Sequence, residues 1–156
     1  MIYQIELTQQ LNCDIQTAWD FFSSPHNLAE ITPKDMEFVI VNEVPEKPVY
    51  AGQIIDYKVT PLFGVRMKWR TQITHVEHHN SFTDLQVNGP YKLWRHFHEF
   101  MPNEEGVLMR DLVTYELPFG FIGRIANKLI VRKKLVNIFK YRYFVLEKMF
   151  NTQNQS

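Results

Sequence analysis

Residues 92–118 read KLWRHFHEFMPNEEGVLMRDLVTYELP, and this stretch decides the fold. Unpaired charge rarely faces a core, so the alternate set carrying Arg95 and Glu99 is the outer face of a strand over 92–101. Trp94, His96, His98 and Phe100 are then its concave face. On 107–117, Arg110 and Glu116 mark the outer set and leave Met109, Asp111, Val113, Tyr115 and Leu117 inside. A tight turn around Glu104-Glu105 pairs positions whose numbers sum to about 209. That sets His98 opposite Asp111 and Trp94 opposite Tyr115, while a two-residue shift would bring in His96 instead.

Working upstream, short strands are expected at 37–42, 53–60, 65–77 and 81–88, separated by turn signals at Pro45 to Pro48, Phe63-Gly64, His78 to Asn80 and Gly89-Pro90. Short links imply an antiparallel meander. The charge test puts Ile55, Tyr57 and Val59 inside, with Val65, Met67, Trp69, Thr71 and Ile73, and Arg66, Lys68 and Arg70 outside. Residues 2–11 alternate as a half-buried strand, with Tyr3, Ile5, Leu7 and Leu11 on one face. Asp14 can cap a short helix carrying Ile15, Ala18, Trp19 and Phe22, and Ser24-Pro25 opens a second through Leu28 and Ile31.

Downstream of Pro118 and Gly120, residues 121–150 place Ile122, Ile125, Ala126, Leu129, Val136, Phe139, Leu146 and Phe150 at helical spacing. A helix of about 27 residues would run roughly 40 Å, enough to cross a sheet. The order predicts an α+β helix-grip fold: a seven-stranded curved antiparallel sheet, two short helices after strand one, and a long C-terminal helix across the concave face. A single domain over 1–150 is expected, followed by a disordered polar tail at 151–156.

The pattern resembles the SRPBCC superfamily of START-like and pollen-allergen-like proteins, and within it the bacterial ligand-binding branch related to polyketide cyclases. The likeness covers nearly the whole chain. It rests on Asn27-Leu28 with Ile31-Thr32-Pro33, Gly52 with Ile55-Asp56-Tyr57, Lys68-Trp69-Arg70-Thr71 and Gly89-Pro90-Tyr91. It continues through Leu93-Trp94-Arg95-His96 with His98 and Phe100, Asp111-Leu112-Val113-Thr114-Tyr115 with Leu117-Pro118, and Ile138-Phe139 with Tyr141-Arg142. These motifs are specific together and weak singly. The resemblance implies a cavity for hydrophobic ligands and identifies a fold better than a reaction.

Composition narrows the class. The lone Cys13 excludes an internal disulfide, no secretory leader pattern is visible and no apolar run approaches a membrane span, so a cytoplasmic address is expected. Net charge is zero, yet residues 1–60, 61–120 and 121–156 carry about −6, −1 and +7. The basic residues Arg124, Lys128, Arg132, Lys133, Lys134, Lys140 and Arg142 ordinarily form a solvated helix face; they could also attract a membrane surface, and nucleic acid is not expected as a partner.

Twelve Phe, seven Tyr and three Trp suit a core or an apolar pocket alike. Tyr57, Trp69, Trp94 and Tyr115 are candidates to line a ligand cavity, with His96, His98 and Asp111 as polar groups on its sheet wall. The same three residues could instead be a satisfied network that fixes register, or proton-transfer groups of a cyclase or dehydratase, with Tyr115 assisting. His96-x-His98 with Asp111 could also make a three-ligand metal site, but the motif lacks the helix spacing or Cys partners of a strong signature, and no metal or cofactor is expected. His75, His78 and His79 cluster at a turn, where solvation is the ordinary outcome. Phe119 and Phe121 sit at a corner where they could form a lid.

The leading reading is a binder of a hydrophobic or amphipathic small molecule, such as a lipid, isoprenoid, polyketide or aromatic metabolite. The alternatives are the cyclase or dehydratase and a protein-interaction module with a filled cavity.

Overall fold

The computed structural model describes residues 1–152. Seven antiparallel strands, β1 (Ile2–Leu11), β2 (Val39–Ile40), β3 (Ile54–Leu62), β4 (Val65–Glu77), β5 (Ser81–Asn88), β6 (Leu93–Asn103) and β7 (Gly106–Glu116), form one sheet in the order β1-β7-β6-β5-β4-β3-β2. The meander from β2 to β7 is the expected one, and β1 closes it by pairing with β7 from Ile2↔Glu116 to Leu11↔Val107. The turn between β6 and β7 needs Gly106. Its φ is +126°, and a Cβ there would stand 2.3 Å from the Leu11 carbonyl oxygen.

Helix α1 (Ile15–Phe22) begins where the Asp14 carboxylate accepts the Thr17 amide at 2.7 Å, a cap worth about 1 kcal/mol. It buries Ala18, Trp19 and Phe22 against Phe82 and Phe100 of the sheet. The second expected helix is a 3₁₀ segment, Pro25–Ile31, followed by another, Lys34–Met36. Side chains divert its hydrogen bonds: the Asn27 amide donates to the Phe21 carbonyl and the Thr32 hydroxyl to the Leu28 carbonyl.

Strand β2 is shorter than 37–42. Glu37 takes a left-handed φ of 47°, and the Asn42 side chain replaces the ladder by bonding Ile54 O and Asp56 N. Strand β3 continues through Pro61 only by a register shift between Val59 and Leu62, since proline has no amide to donate. The inner set expected on β4 holds for Trp69, Thr71 and Ile73, all buried, but Val65 is 56% exposed at the tip beside the left-handed pair Phe63-Gly64.

The C-terminal helix runs over residues 120–151 as α2 (Gly120–Ala126), a π segment (Asn127–Val131), α3 (Arg132–Leu146) and a second π segment (Glu147–Asn151). Its buried stripe is Gly123, Asn127, Val131, Leu135, Phe139, Arg142 and Leu146. Steps of four through the first π segment keep that stripe on the sheet, because a π turn takes more residues than an α turn. Ile122, Ile125 and Leu129, which share the apolar periodicity in sequence, therefore fall outside the contact and are 70, 44 and 67% exposed. Gly123 permits the close start, since a Cβ there would stand 2.2 Å from Pro118 O.

Two apolar clusters result. One joins α1, Phe100, Val107 and Leu146; the other joins Val59, Trp69, Tyr91, Val113 and Tyr115 to Val131, Leu135 and Phe139. Each fully buried side chain of this size contributes roughly 1.5–3 kcal/mol. Asn151, expected at the start of a polar tail, is helical: its amide donates to Gln10 O at 2.9 Å and its oxygen accepts the Asn12 amide at 2.9 Å. Thr152 follows as a bend whose hydroxyl donates to Lys148 O, and 153–156 of that expected tail lie outside the described residues. No helix among the described residues is long and apolar enough to cross a membrane.

Candidate functional site

Between the two clusters lies a cavity of about 180 Å³. Its lining comes from β3 to β6, from the segments after α1 and from the C-terminal helix: Phe38, Tyr57, Trp69, Tyr91 and Trp94 are its aromatic wall, and Leu135 and Phe139 its helical side. The rings brace one another, with Trp69 5.7 Å from Tyr57 and edge-on to Trp94 at 5.4 Å. Burial raises the Tyr57 and Tyr91 hydroxyls above the ordinary phenol range, so both stay protonated at neutral pH. Lys134, also in the lining, ion-pairs at 2.8 Å with Asp35 and links the helix to the second 3₁₀ segment.

At the sheet wall the chain assembles Asp84, His96, His98, Asp111 and Arg142. The β6–β7 register is the expected one, with His98 opposite Asp111 and Trp94 opposite Tyr115. The imidazoles of His96 and His98 lie with centroids 3.7 Å apart and their planes tilted by 34°. Asp111 Oδ1 stands 2.9 Å from His96 Nε2 and 2.9 Å from His98 Nδ1; only the first contact is aligned as a hydrogen bond. Opposite it, Asp84 Oδ2 pairs with His98 Nε2 at 2.9 Å and lies 3.9 Å from His96 Nδ1. Arg142 reaches Asp111 from the helix at 3.1 Å.

These neighbours shift the pKa values of the two rings in opposite directions. Burial and the adjacent His98 hold His96 below the ordinary imidazole value against the pull of Asp111 and Asp84. For His98, burial also opposes the charge, but the two adjacent carboxylates, Asp111 beside Nδ1 and Asp84 hydrogen-bonded to Nε2, outweigh it and raise its pKa. Burial by itself would raise Asp111; Arg142 and His96 overcome that and hold its carboxyl well below the usual range.

The structure places five of the seven expected lining residues, Tyr57, Trp69, Trp94, His96 and His98, on the cavity wall. Asp111 and Tyr115 are set behind it, which corrects the expectation of direct contact. Asp111 is covered by the two imidazoles and Arg142. Tyr115 is fully buried between Tyr3 and Tyr91, and its hydroxyl donates to Asn127 Oδ1 at 2.8 Å. Phe119 and Phe121, expected as a lid, are 80 and 65% exposed and do not line the cavity. His75 and His78 are exposed, as expected, and His79 is half-buried; His78 and His79 also stack on each other and meet the Trp19 ring edge-on.

Sequence reasoning missed Asp84 and misassigned Arg142. The turn at Gly89-Pro90 pairs β5 and β6 at numbers summing to 180, as in Asp84↔His96 and Phe82↔His98. The arithmetic used for the next hairpin could have found it. Arg142 was counted with the basic outer face, but it falls on the buried stripe one turn after Phe139 and one before Leu146.

No protein-family profile matches the chain, and no curated protein matches it. Solved structures do. Protein Ms6760 from Mycobacterium smegmatis superposes with a TM-score of 0.68 at 12% identity over 97% of this chain and 93% of that one. Ginseng major latex-like protein 151 from Panax ginseng gives 0.68 at 14% identity, covering 96% and 98%. A Thalictrum norcoclaurine synthase point mutant, solved with a transition-state analogue, gives 0.64 at 13% identity, covering 96% of each chain. The chain therefore shares the fold of these structures, a curved antiparallel sheet gripping a long C-terminal helix.

Proposed function

We propose that this chain binds a compact hydrophobic or amphipathic molecule in the cavity between sheet and helix, with the ligand's polar end against Asp84, His96 and His98. The observation that carries this reading is an aromatic cavity whose few polar groups converge at one wall. Two further donors favour a ligand bearing an acceptor oxygen: Trp69 Nε1 and Arg142 Nε, on lining residues, are buried without a hydrogen-bond partner among the described residues. The volume of about 180 Å³ favours a body of one or two rings or a short isoprenoid over a long acyl chain, since an apolar cavity of roughly 150 Å³ accommodates benzene. The single free Cys13 is in keeping with work in a reducing compartment such as the cytoplasm.

Native mass spectrometry of gently purified protein, followed by titration with naphthyl and terpenoid probes monitored by Trp69 and Trp94 fluorescence, tests the reading. A co-purifying small molecule, or saturable one-to-one quenching, is expected. An absence of both across a hydrophobic library defeats it.

A second reading uses the same wall for proton transfer. His96 Nε2 is held by Asp111 while Nδ1 makes no hydrogen bond among the described residues, the arrangement of an oriented base. A third element concerns the partner surface. From residue 117 to 146 the chain has no acidic residue, and the exposed Phe119, Phe121, Ile122 and Leu129 lie among Arg124, Lys128 and Arg132. This composition suits transient contact with an anionic membrane.

A further inference from the structure

Two carboxylates bracketing two imidazoles exceed what a register-fixing network needs, because Asp111 alone reaches both rings. Asp84, from the neighbouring strand, adds an acidic oxygen on the opposite ring edges, and it belongs to the cavity lining with both histidines. One ligand atom from each of Asp84, His96 and His98 lies within 4.8 Å of the others. Two imidazoles and a carboxylate are the donor set of zinc sites with an open position and of non-haem iron(II) sites.

The separations suit a small ion. Tetrahedral ligands at bonds of about 2.0–2.1 Å stand about 3.3 Å apart. Asp84 Oδ2 is 2.9 Å from His98 Nε2 and 3.9 Å from His96 Nδ1, so a small ring rotation brackets that spacing. The outer contacts are those a metal-binding histidine normally makes, its far ring nitrogen meeting a carboxylate that fixes the ring's orientation. Asp111 stands 2.9 Å from the far nitrogen of both rings, and Arg142 holds Asp111. Asp111, the third ligand suggested by sequence, is thus the supporting group, and Asp84 is the ligand.

We propose that Asp84, His96 and His98 form a site for a divalent first-row transition ion on the cavity wall, with Asp111 and Arg142 as positioning residues and open coordination positions facing the cavity. The inference rests on the same cavity as the ligand reading, and its test separates the two.

Chelator-stripped full-length protein is titrated with Zn²⁺ by calorimetry and native mass spectrometry, and with Co²⁺ by visible absorption. One ion per chain is expected, with the stronger cobalt bands of a low-coordinate site. Asp84→Asn and His96→Gln should weaken Zn²⁺ binding at least tenfold, and Asp111→Asn by about 10–100-fold, while His78→Gln changes nothing. Should His96→Gln fail to fold by circular dichroism, Asp84→Asn decides, because its half-buried side chain keeps its shape. No uptake, or uptake unchanged in Asp84→Asn, overturns the site. The naphthyl titration repeated in chelator reports separately: probe binding without Zn²⁺ uptake removes the metal inference and leaves the ligand reading standing, whereas loss of both removes both.

Discussion

Asp111 of β7 and Arg142 of the C-terminal helix meet at 3.1 Å, both nearly sealed from solvent, so the buried charge of the sheet is neutralised by the helix laid over it. Breaking such a pair from one side strands the other charge, at a cost of about 3–5 kcal/mol. Arg142→Met should therefore lower unfolding free energy in urea by that amount. The double variant Asp111→Asn with Arg142→Met should lose less than the sum of the singles. A loss under about 1 kcal/mol for Arg142→Met would mean that the pair is not the charge-neutralising contact it appears in the geometry.

The opposite shifts of His96 and His98 predict a stability maximum near the ordinary imidazole value of about 6.5. His98 has its folded pKa raised, so its contribution is full below about 6.5 and is lost as pH rises through the folded value. His96 has its folded pKa lowered, so its contribution is present above about 6.5 and is lost as pH falls through the folded value. Asp111, also lowered, adds a further loss in strong acid. Urea midpoints across pH should flatten on the alkaline side in His98→Gln and on the acid side in His96→Gln. Histidine ring resonances that titrate together near 6.5 would contradict the assignment.

Tyr115 and Asn127 tie the sheet to the start of the helix through a bond of 2.8 Å. Tyr115→Phe leaves the Asn127 oxygen buried without that donor, so thermal or urea unfolding should show a loss of about 1–2 kcal/mol. Probe affinity should change little, because Tyr115 sits behind the cavity wall. A tenfold weakening of naphthyl binding would return Tyr115 to the wall.

Val59 lines the cavity and is buried. Val59→Phe places a ring in that space, at a cost of about 1–3 kcal/mol from overpacking. Probe binding should fall at least tenfold in the same variant. Unchanged affinity locates the probe elsewhere.

The exposed apolar and basic start of the C-terminal helix should sediment with vesicles containing phosphatidylserine and not with neutral vesicles. Attraction should fade between 50 and 300 mM salt as the screening length shortens to well under 10 Å. Phe119→Ser with Phe121→Ser should reduce binding without changing unfolding, since both rings face solvent.

Alternation and turn chemistry carried the strands because a pleat repeats every two residues and the charges Arg95, Glu99, Arg110 and Glu116 mark one face without ambiguity. Seven strands, their antiparallel order from 36 to 117 and the His98–Asp111 register followed from those marks. Helical periodicity was less informative. Ile122, Ile125 and Leu129 have the spacing of a core face, yet the π segment at Asn127–Val131 sets the phase that turns Arg142 inward and leaves them outside.

The amino-acid sequence by itself determined the helix-grip plan, the concave placement of His96 and His98 and the aromatic surplus around them, all consequences of local periodicity. Only the tertiary structure decided which acid each imidazole meets, that Arg142 balances Asp111, and that Tyr115 stands behind the cavity rather than in it. Those facts depend on where the helix docks and on how β5 lies beside β6. Contacts between residues far apart in the chain are set by packing, which no spacing along one strand records.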